Sequence, residues 1–158
     1  MEKALLEAVA LSIEKARSSM RRGEGGPFGA AVIKDEKVIS VAANSVLKDH
    51  DPSAHAEINA IRQACELLGT HDLSGCILYA TGHPCPMCLS AIIWANIDKV
   101  YYGCEAHEAE KIGFRDDFIY RYLENKHQDN SVLNLCSFAH DECIALYEEY
   151  ENIEKEIY

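Results

Sequence analysis

The 158-residue chain predicts a single α/β domain with helices packed on a central sheet. Short β-branched and aromatic runs alternate with segments of helical periodicity, which is the pattern of a layered α/β structure. No repeat, low-complexity stretch or Pro/Gly/Ser linker marks a boundary, and the length suits one domain with a sizeable core.

Residues 2–20 place Leu5, Leu6, Val9, Ile13, Ala16 and Met20 close to one helical stripe. "RRGEGGPFG" at 21–29 interrupts it, since glycine and proline punctuate strongly. "FGAAVIK" and "KVISVAAN" then read as two strands joined across Asp35-Glu36, a weaker hairpin signal than Asn-Gly. In 51–69, Asp, Pro and Ser supply helix-start signals and Gly69 the stop. "CILYAT" at 76–81 is a buried strand, "PCPMCLSAIIWAN" at 84–96 a helix with proline in its first turn, and "DKVYYGC" at 98–104 another strand. A helix over 105–112, a loop over 113–120, a further strand at 131–139 and a closing acidic helix complete the expectation.

The formal net charge of −11 argues against a nucleic-acid partner, which needs a basic face. "RSSMRR" at 17–22 is a small local exception. No apolar run reaches the roughly 18 residues of a membrane span. Acids interrupt the opening helix, unlike a signal peptide, so a soluble cytoplasmic protein is expected. Seven cysteines, odd in number and irregular in spacing, do not form a disulfide framework. Most lie in apolar settings and are expected to be buried thiols; only Cys85 and Cys88 share a spacing with chemical meaning.

His55 and Glu57 form "HAE" at the start of one helix, and Cys85 and Cys88 form "PCPMC" at the start of another. One imidazole and two thiolates make a three-ligand zinc set, which leaves a fourth position for water, as catalytic zinc sites do. Glu57 is spaced to reach that water as general base and then acid. A redox pair and a structural zinc module compete for the cysteines alone, and an ordinary surface acid for Glu57. His-x-Glu followed by Pro-Cys-x-x-Cys is the signature of zinc deaminases acting on nucleobases.

On "PFGAAVI", Asn44, "DPSAHAEINAIRQA", "LYATGHPCPMCLSAIIWA" and "VYYG", the chain resembles the cytidine deaminase-like superfamily over nearly its whole length. Trp94, the "GFRDDFIY" segment and the terminal tyrosine make it most similar to the small bacterial-type guanine deaminases. The resemblance implies a three-layer fold with a mixed sheet of about five strands, one domain over 1–158, and one Zn2+ per subunit held by His55, Cys85 and Cys88. It further implies a homodimer whose tail, about 140–158, crosses to the partner.

The implied reaction is hydrolysis of guanine to xanthine and ammonia by a zinc-activated hydroxide, with Glu57 as proton shuttle. Asn44, Phe28, Ala56, Trp94, Asp116 and Tyr158 are the implied base-binding residues. Bland readings stand beside four of them: a turn residue for Asn44, core for Phe28, a surface acid for Asp116 and a frayed end for Tyr158. The alternative substrates are cytosine, guanosine, a triazine or tRNA adenosine, and a non-catalytic zinc-stabilised module is the rival of another class. His83 stands where such relatives have glutamate; it is expected to be structural rather than a fourth ligand, since a closed site would exclude water.

Overall fold

The structure is a computed structural model and describes residues 1–157; Tyr158 lies outside the described residues. It divides into two compact units, Met1–Asp116 and Asp117–Tyr158. The first contains helix α1 (Glu2–Arg21), strands β1 (Gly29–Lys34) and β2 (Lys37–Ala43), helices α2 (Val46–Asp49) and α3 (Ala56–Leu68), strand β3 (Ile77–Gly82), helix α4 (Pro86–Trp94), strand β4 (Lys99–Cys104) and helix α5 (Ala106–Lys111). The second contains helices α6 (Asp117–Glu124) and α7 (His140–Glu151). Among the described residues no helix is long and apolar enough to cross a membrane.

The sheet order is β2-β1-β3-β4, with β1 antiparallel to both neighbours and β3 parallel to β4. Side chains alternate across the sheet. Ala30, Val32, Leu78 and Ala80 enter one core with Ala56, Ala60 and Ala64 of α3 and Ile92 of α4. Ala31, Ile33 and Tyr79 enter the other, against Ala4 and Ala8 of α1. The predicted three layers are therefore present: α1, sheet, then α3 with α4.

The sheet has four strands where about five were expected. The segment at 131–139 is not a strand. Ser131 N–H is taken by Asp129 Oδ1, and the N–H groups of Val132 and Leu133 by the Asp129 carbonyl, so a turn uses donors that a ladder would need. The apolar side chains of that stretch, Leu135 and Phe138 among them, are exposed. Residues 117–120, expected as loop, begin α6 instead.

The hairpin forms as expected across Asp35 and Glu36, both at positive φ (48° and 61°), as a two-residue type I′ connection requires. The N-terminal ammonium of Met1 pairs with Glu36.

Helix α1 shows the main departure. Its buried residues are Ala4, Ala8, Ser12, Ala16 and Ser19, while Leu6, Ile13 and Met20 of the expected stripe are exposed. The reason is close approach. A Cβ on Gly29 of β1 would lie 2.1 Å from the Ser12 carbonyl oxygen, so helix and strand backbones touch where only small residues fit. The small residues recur every fourth position from Ala4 to Ala16 and then at Ser19, three further on, a row that lies on one face; Leu5 and Val9 cover its flank.

The cysteines also differ from expectation. Cys76 is buried and Cys65 half-buried, but Cys104, Cys136 and Cys143 are exposed. Cys104 ends the edge strand β4, and the other two belong to the mostly exposed second unit.

Gly29→Ala is expected to lower unfolding stability by about 1–3 kcal/mol through overpacking. A urea titration would read this as a lower midpoint at unchanged slope; an unchanged midpoint would contradict the close α1–β1 approach.

Candidate metal centre

Strand directions bring the site together. Because β2 and β3 both run antiparallel to β1, their C-terminal ends lie at the same end of the sheet as the start of β1. Gly29 pairs with Ala43 and Ala30 with Ala80, so Phe28 stands in register with Asn44 on one side and Gly82 on the other. Gly82 in turn pairs with Cys104 of β4. From this end the chain leaves β2 through Asn44 towards α3, and leaves β3 through His83-Pro84 towards α4. Such carboxyl ends of strands are where open α/β sheets build their sites.

His55 and Cys85 each occupy the residue before a helix, α3 and α4, with extended backbone (φ −69° in both). The start expected at Asp51 is instead a turn in which Asp51 accepts hydrogen bonds from the Ser53 N–H and hydroxyl, so α3 begins later, at Ala56. Pro86 takes the first position of α4, where its missing N–H costs nothing. The two helix starts meet: His55 Nδ1 is 3.6 Å from Cys85 Sγ and 3.5 Å from Cys88 Sγ.

All three donor atoms lie within 4.8 Å of one another, and they are the one such group among the described residues. A tetrahedral ion with Zn–S of about 2.3 Å and Zn–N of about 2.0 Å needs S···N edges of about 3.5–3.6 Å. The observed separations match, so the residues fit one Zn2+ with three protein ligands.

The protons of the three donors are coupled. The Cys85 thiol is lowered to about 4 by the Cys88 thiol first and by His55 among the further causes, against the cost of burial. Cys88 is pushed up, chiefly by Cys85 and then by burial, and His55 is raised chiefly by Cys85. Two helix N-termini favour this negative charge. The cluster by itself holds a thiolate on Cys85 and keeps the proton on Cys88; a divalent cation displaces that proton when it binds.

Glu57, two residues after His55, is 7% exposed, and burial raises its pKa, with Cys85 adding to the rise. Ala56 between them is fully buried.

Asn44 is 5% exposed. Its Oδ1 accepts from the N–H groups of Gly26 (3.4 Å) and Val46 (3.1 Å), which fixes the amide, because backbone donors can meet only its oxygen. Its Nδ2 has no acceptor among the described residues. Its backbone is pinned too: the N–H donates to the Phe28 carbonyl, and its carbonyl accepts from Ser19 Oγ at 3.0 Å. Asn59 Nδ2 ties the neighbouring Ala43 carbonyl and Ser45 Oγ. A Cβ on Gly25 would lie 2.2 Å from Asn44 Oδ1. Sequence reasoning did not single out Gly25, Ser19 or Asn59. Asn59 is four residues beyond His55 on its helix, and that spacing was the available signal.

Phe28 lies half-buried in register with both Asn44 and Gly82. Trp94 is at the opposite end of α4 from the cysteines and 72% exposed. Asp116 is half-buried, immediately before α6. His83 is outside the three-donor group. Its ring meets Tyr102 edge-on at 4.9 Å, its N–H donates to the Cys104 carbonyl, and its buried Nδ1 has no partner among the described residues.

A mixed α/β sheet that sets an open three-ligand zinc corner beside a buried glutamate defines a hydrolytic zinc deaminase. Residues 2–104 match the cytidine and deoxycytidylate deaminase zinc-binding region, and the chain belongs to this family. It is 43% identical over 128 residues to the guanine deaminase of Bacillus subtilis, covering 81% of this chain and 80% of that one. Its fold superposes on the crystal structure of a B. subtilis guanine deaminase with a TM-score of 0.87 and 34% identity, over 96% of both chains. A tRNA-specific adenosine deaminase of Aquifex aeolicus is 42% identical over 93 residues, 59% of this chain and 61% of that one.

In metal-free protein, the depressed Cys85 pKa keeps that sulfur a thiolate at all pH values above about 4. Iodoacetamide at about pH 6 is therefore expected to alkylate Cys85 and spare Cys88, with stoichiometric zinc protecting both. Peptide mapping by mass spectrometry checks this; equal labelling of the pair would contradict the proton arrangement.

Proposed function

We propose that the chain catalyses hydrolytic deamination of guanine: guanine and water give xanthine and ammonia. The observation that carries this is the three-donor His55–Cys85–Cys88 corner with Glu57 buried beside it. The guanine deaminase relatives, matched over most of both chains, favour a purine base as the substrate. Zinc, when bound, supplies Lewis acidity that brings the pKa of water at its open position to about 7.

Glu57 moves the protons. It takes one from the attacking water and delivers it to the ring nitrogen beside the carbon that bears the amine. It then takes the second proton from the attacking oxygen, which becomes the new carbonyl, and delivers it to the departing nitrogen, which leaves as ammonia. Its raised pKa brings the carboxyl closer to the operating pH, where one group serves best as base and then acid. Asn44 Nδ2 donates to an acceptor on the base and sets its orientation against this carboxyl. Phe28 and the buried Ala56 supply apolar surface for the ring, and Asp116 accepts from the purine's amino or ring N–H groups.

The active form in this reading is a homodimer, and the segment at about 140–158 crosses to the partner with Tyr158 closing the pocket and Trp94 facing it. Helix α7 has no buried residue and exposes Ile144, Leu146, Tyr147 and Tyr150, which supports an exchanged helix. His83 supports the loop before Cys85 through Tyr102.

Two measurements test the reading. Ammonia release from guanine, guanosine, cytosine, adenosine and triazines should single out guanine; inert guanine with turnover of another base would keep the chemistry and reject the substrate. Glu57→Gln should retain zinc and lose about 10²–10⁴-fold or more in kcat. Retained activity would reject Glu57 as shuttle. The raised carboxyl pKa also has a stability consequence. Folded protein holds this proton above the ordinary value of 4.5, where the unfolded chain has lost it, so stability falls as pH rises through that window. Metal-free Glu57→Gln should therefore exceed metal-free wild type in stability at neutral pH, and the difference should vanish below about pH 4.

A further inference from the structure

The short helix α5 is specified at both ends. Glu105 and Glu108 form a reciprocal capping box at its start. At its exit Gly113 takes φ +99°, with Gly113 N–H donating to the Glu110 carbonyl (2.9 Å) and Phe114 N–H to the Ala109 carbonyl (3.1 Å). This is a Schellman motif, which fixes the direction in which the chain leaves a helix. Arg115 adds an ion pair back to Glu110 at 3.3 Å.

What this exit delivers is Phe114. Its ring meets Phe28 edge to face, with centroids 4.8 Å apart and planes at 90°. Gly26 makes the room: a Cβ there would lie 2.7 Å from Phe114 Cζ and 3.0 Å from Phe28 Cδ2. The same Gly26 donates its N–H to Asn44 Oδ1. On its other side the Phe28 ring lies 3.7 Å from where a Gly82 Cβ would stand, two residues before Pro84 and three before Cys85. The aromatic pair thus sits between the amide of Asn44 and the loop that carries the metal-binding cysteines. Phe114 is 44% exposed, and α5 has no buried residue, so core formation does not account for this placement.

We infer that Phe114 is a specificity-determining residue that forms, with Phe28, an aromatic corner for a flat bicyclic base. The inference rests on the functional reading above and adds a residue to it. One ring gives a base a stacking face, and a second at right angles gives its edge an apolar wall. A purine is wide enough to meet both rings, whereas a pyrimidine reaching the metal leaves the outer ring uncovered. The corner therefore favours purines through binding rather than through the chemical step.

The test is steady-state ammonia release from guanine and cytosine by the zinc-loaded full chain. Phe114→Ala is expected to raise KM for guanine about tenfold and to leave kcat within about threefold. Phe114→Tyr, which keeps the ring, should stay within about threefold of wild type in both. Any kcat/KM for cytosine should change little in Phe114→Ala, so that discrimination between the bases narrows. Gly26→Ala should by itself raise KM, and its effect should shrink in the Phe114→Ala background, where only the 3.0 Å contact with Phe28 remains. Zinc content and thermal midpoint distinguish this from a structural role. An unchanged KM in Phe114→Ala, or loss of zinc or stability accounting for its defect, would overturn the assignment; if Phe114→Ala does not fold, a defect in Phe114→Tyr equal to that of Phe114→Leu would do so. Wild type inert towards guanine would overturn the functional reading and this one together, whereas active wild type with an insensitive Phe114→Ala overturns this one alone.

Discussion

The site depends on two helix starts held within van der Waals reach, so that one imidazole nitrogen and two sulfurs share a corner. Three such donors share protons by themselves: Cys85 is held towards the thiolate by Cys88 and His55, Cys88 is pushed up by Cys85, and His55 is drawn towards the charged form. The sheet enforces the crowding. Placing β1 antiparallel to both neighbours puts the exits of β2 and β3 at one end, and the helices that follow begin there. A divalent ion replaces the protons held among these donors, which links metal affinity to pH and metal binding to folding.

Around that corner the polar groups are positioned by backbone. Asn44 is held through two N–H groups at its side-chain oxygen and through its own N–H and carbonyl. Such fixation needs close approach, and it explains why small residues gather here. Gly25 and Gly26 stand where a Cβ would strike Asn44 or Phe114. Gly29 and the row of alanines and serines in α1 let helix and sheet touch just behind. Ser19 belongs to both sets: it closes the helix–sheet packing and binds the Asn44 carbonyl.

The metal ligands were legible in the sequence because their chemistry is local. Cysteines three apart at a proline-started helix and a histidine two before a glutamate carry their meaning in the spacing itself. The layers were legible for a similar reason, since periodicity survives in single segments. The face of α1 was not. Its large apolar side chains follow a plausible stripe, and nothing local says that the strand behind carries a glycine at the contact. The strand expected at 131–139 failed through turn chemistry, where Asp129 captures the donors of the residues after it. Phe114 had a signal that went unused: a glycine then an apolar residue after a short helix marks a directed exit.

The burial of Glu57 ties stability and reactivity to one group. A carboxyl so enclosed is disfavoured in its charged form, which weakens the fold at neutral pH and at the same time shifts the proton affinity towards that of a useful acid–base group. Zinc next to it acts in the other direction, as positive charge favours the carboxylate. The same carboxyl therefore holds its proton more firmly once metal leaves. On this account the buried acid and the thiolates are one electrostatic unit. His55 at the start of α3 and the cysteines at the start of α4 set the charge, and Glu57, the second residue of α3, is buried beside them.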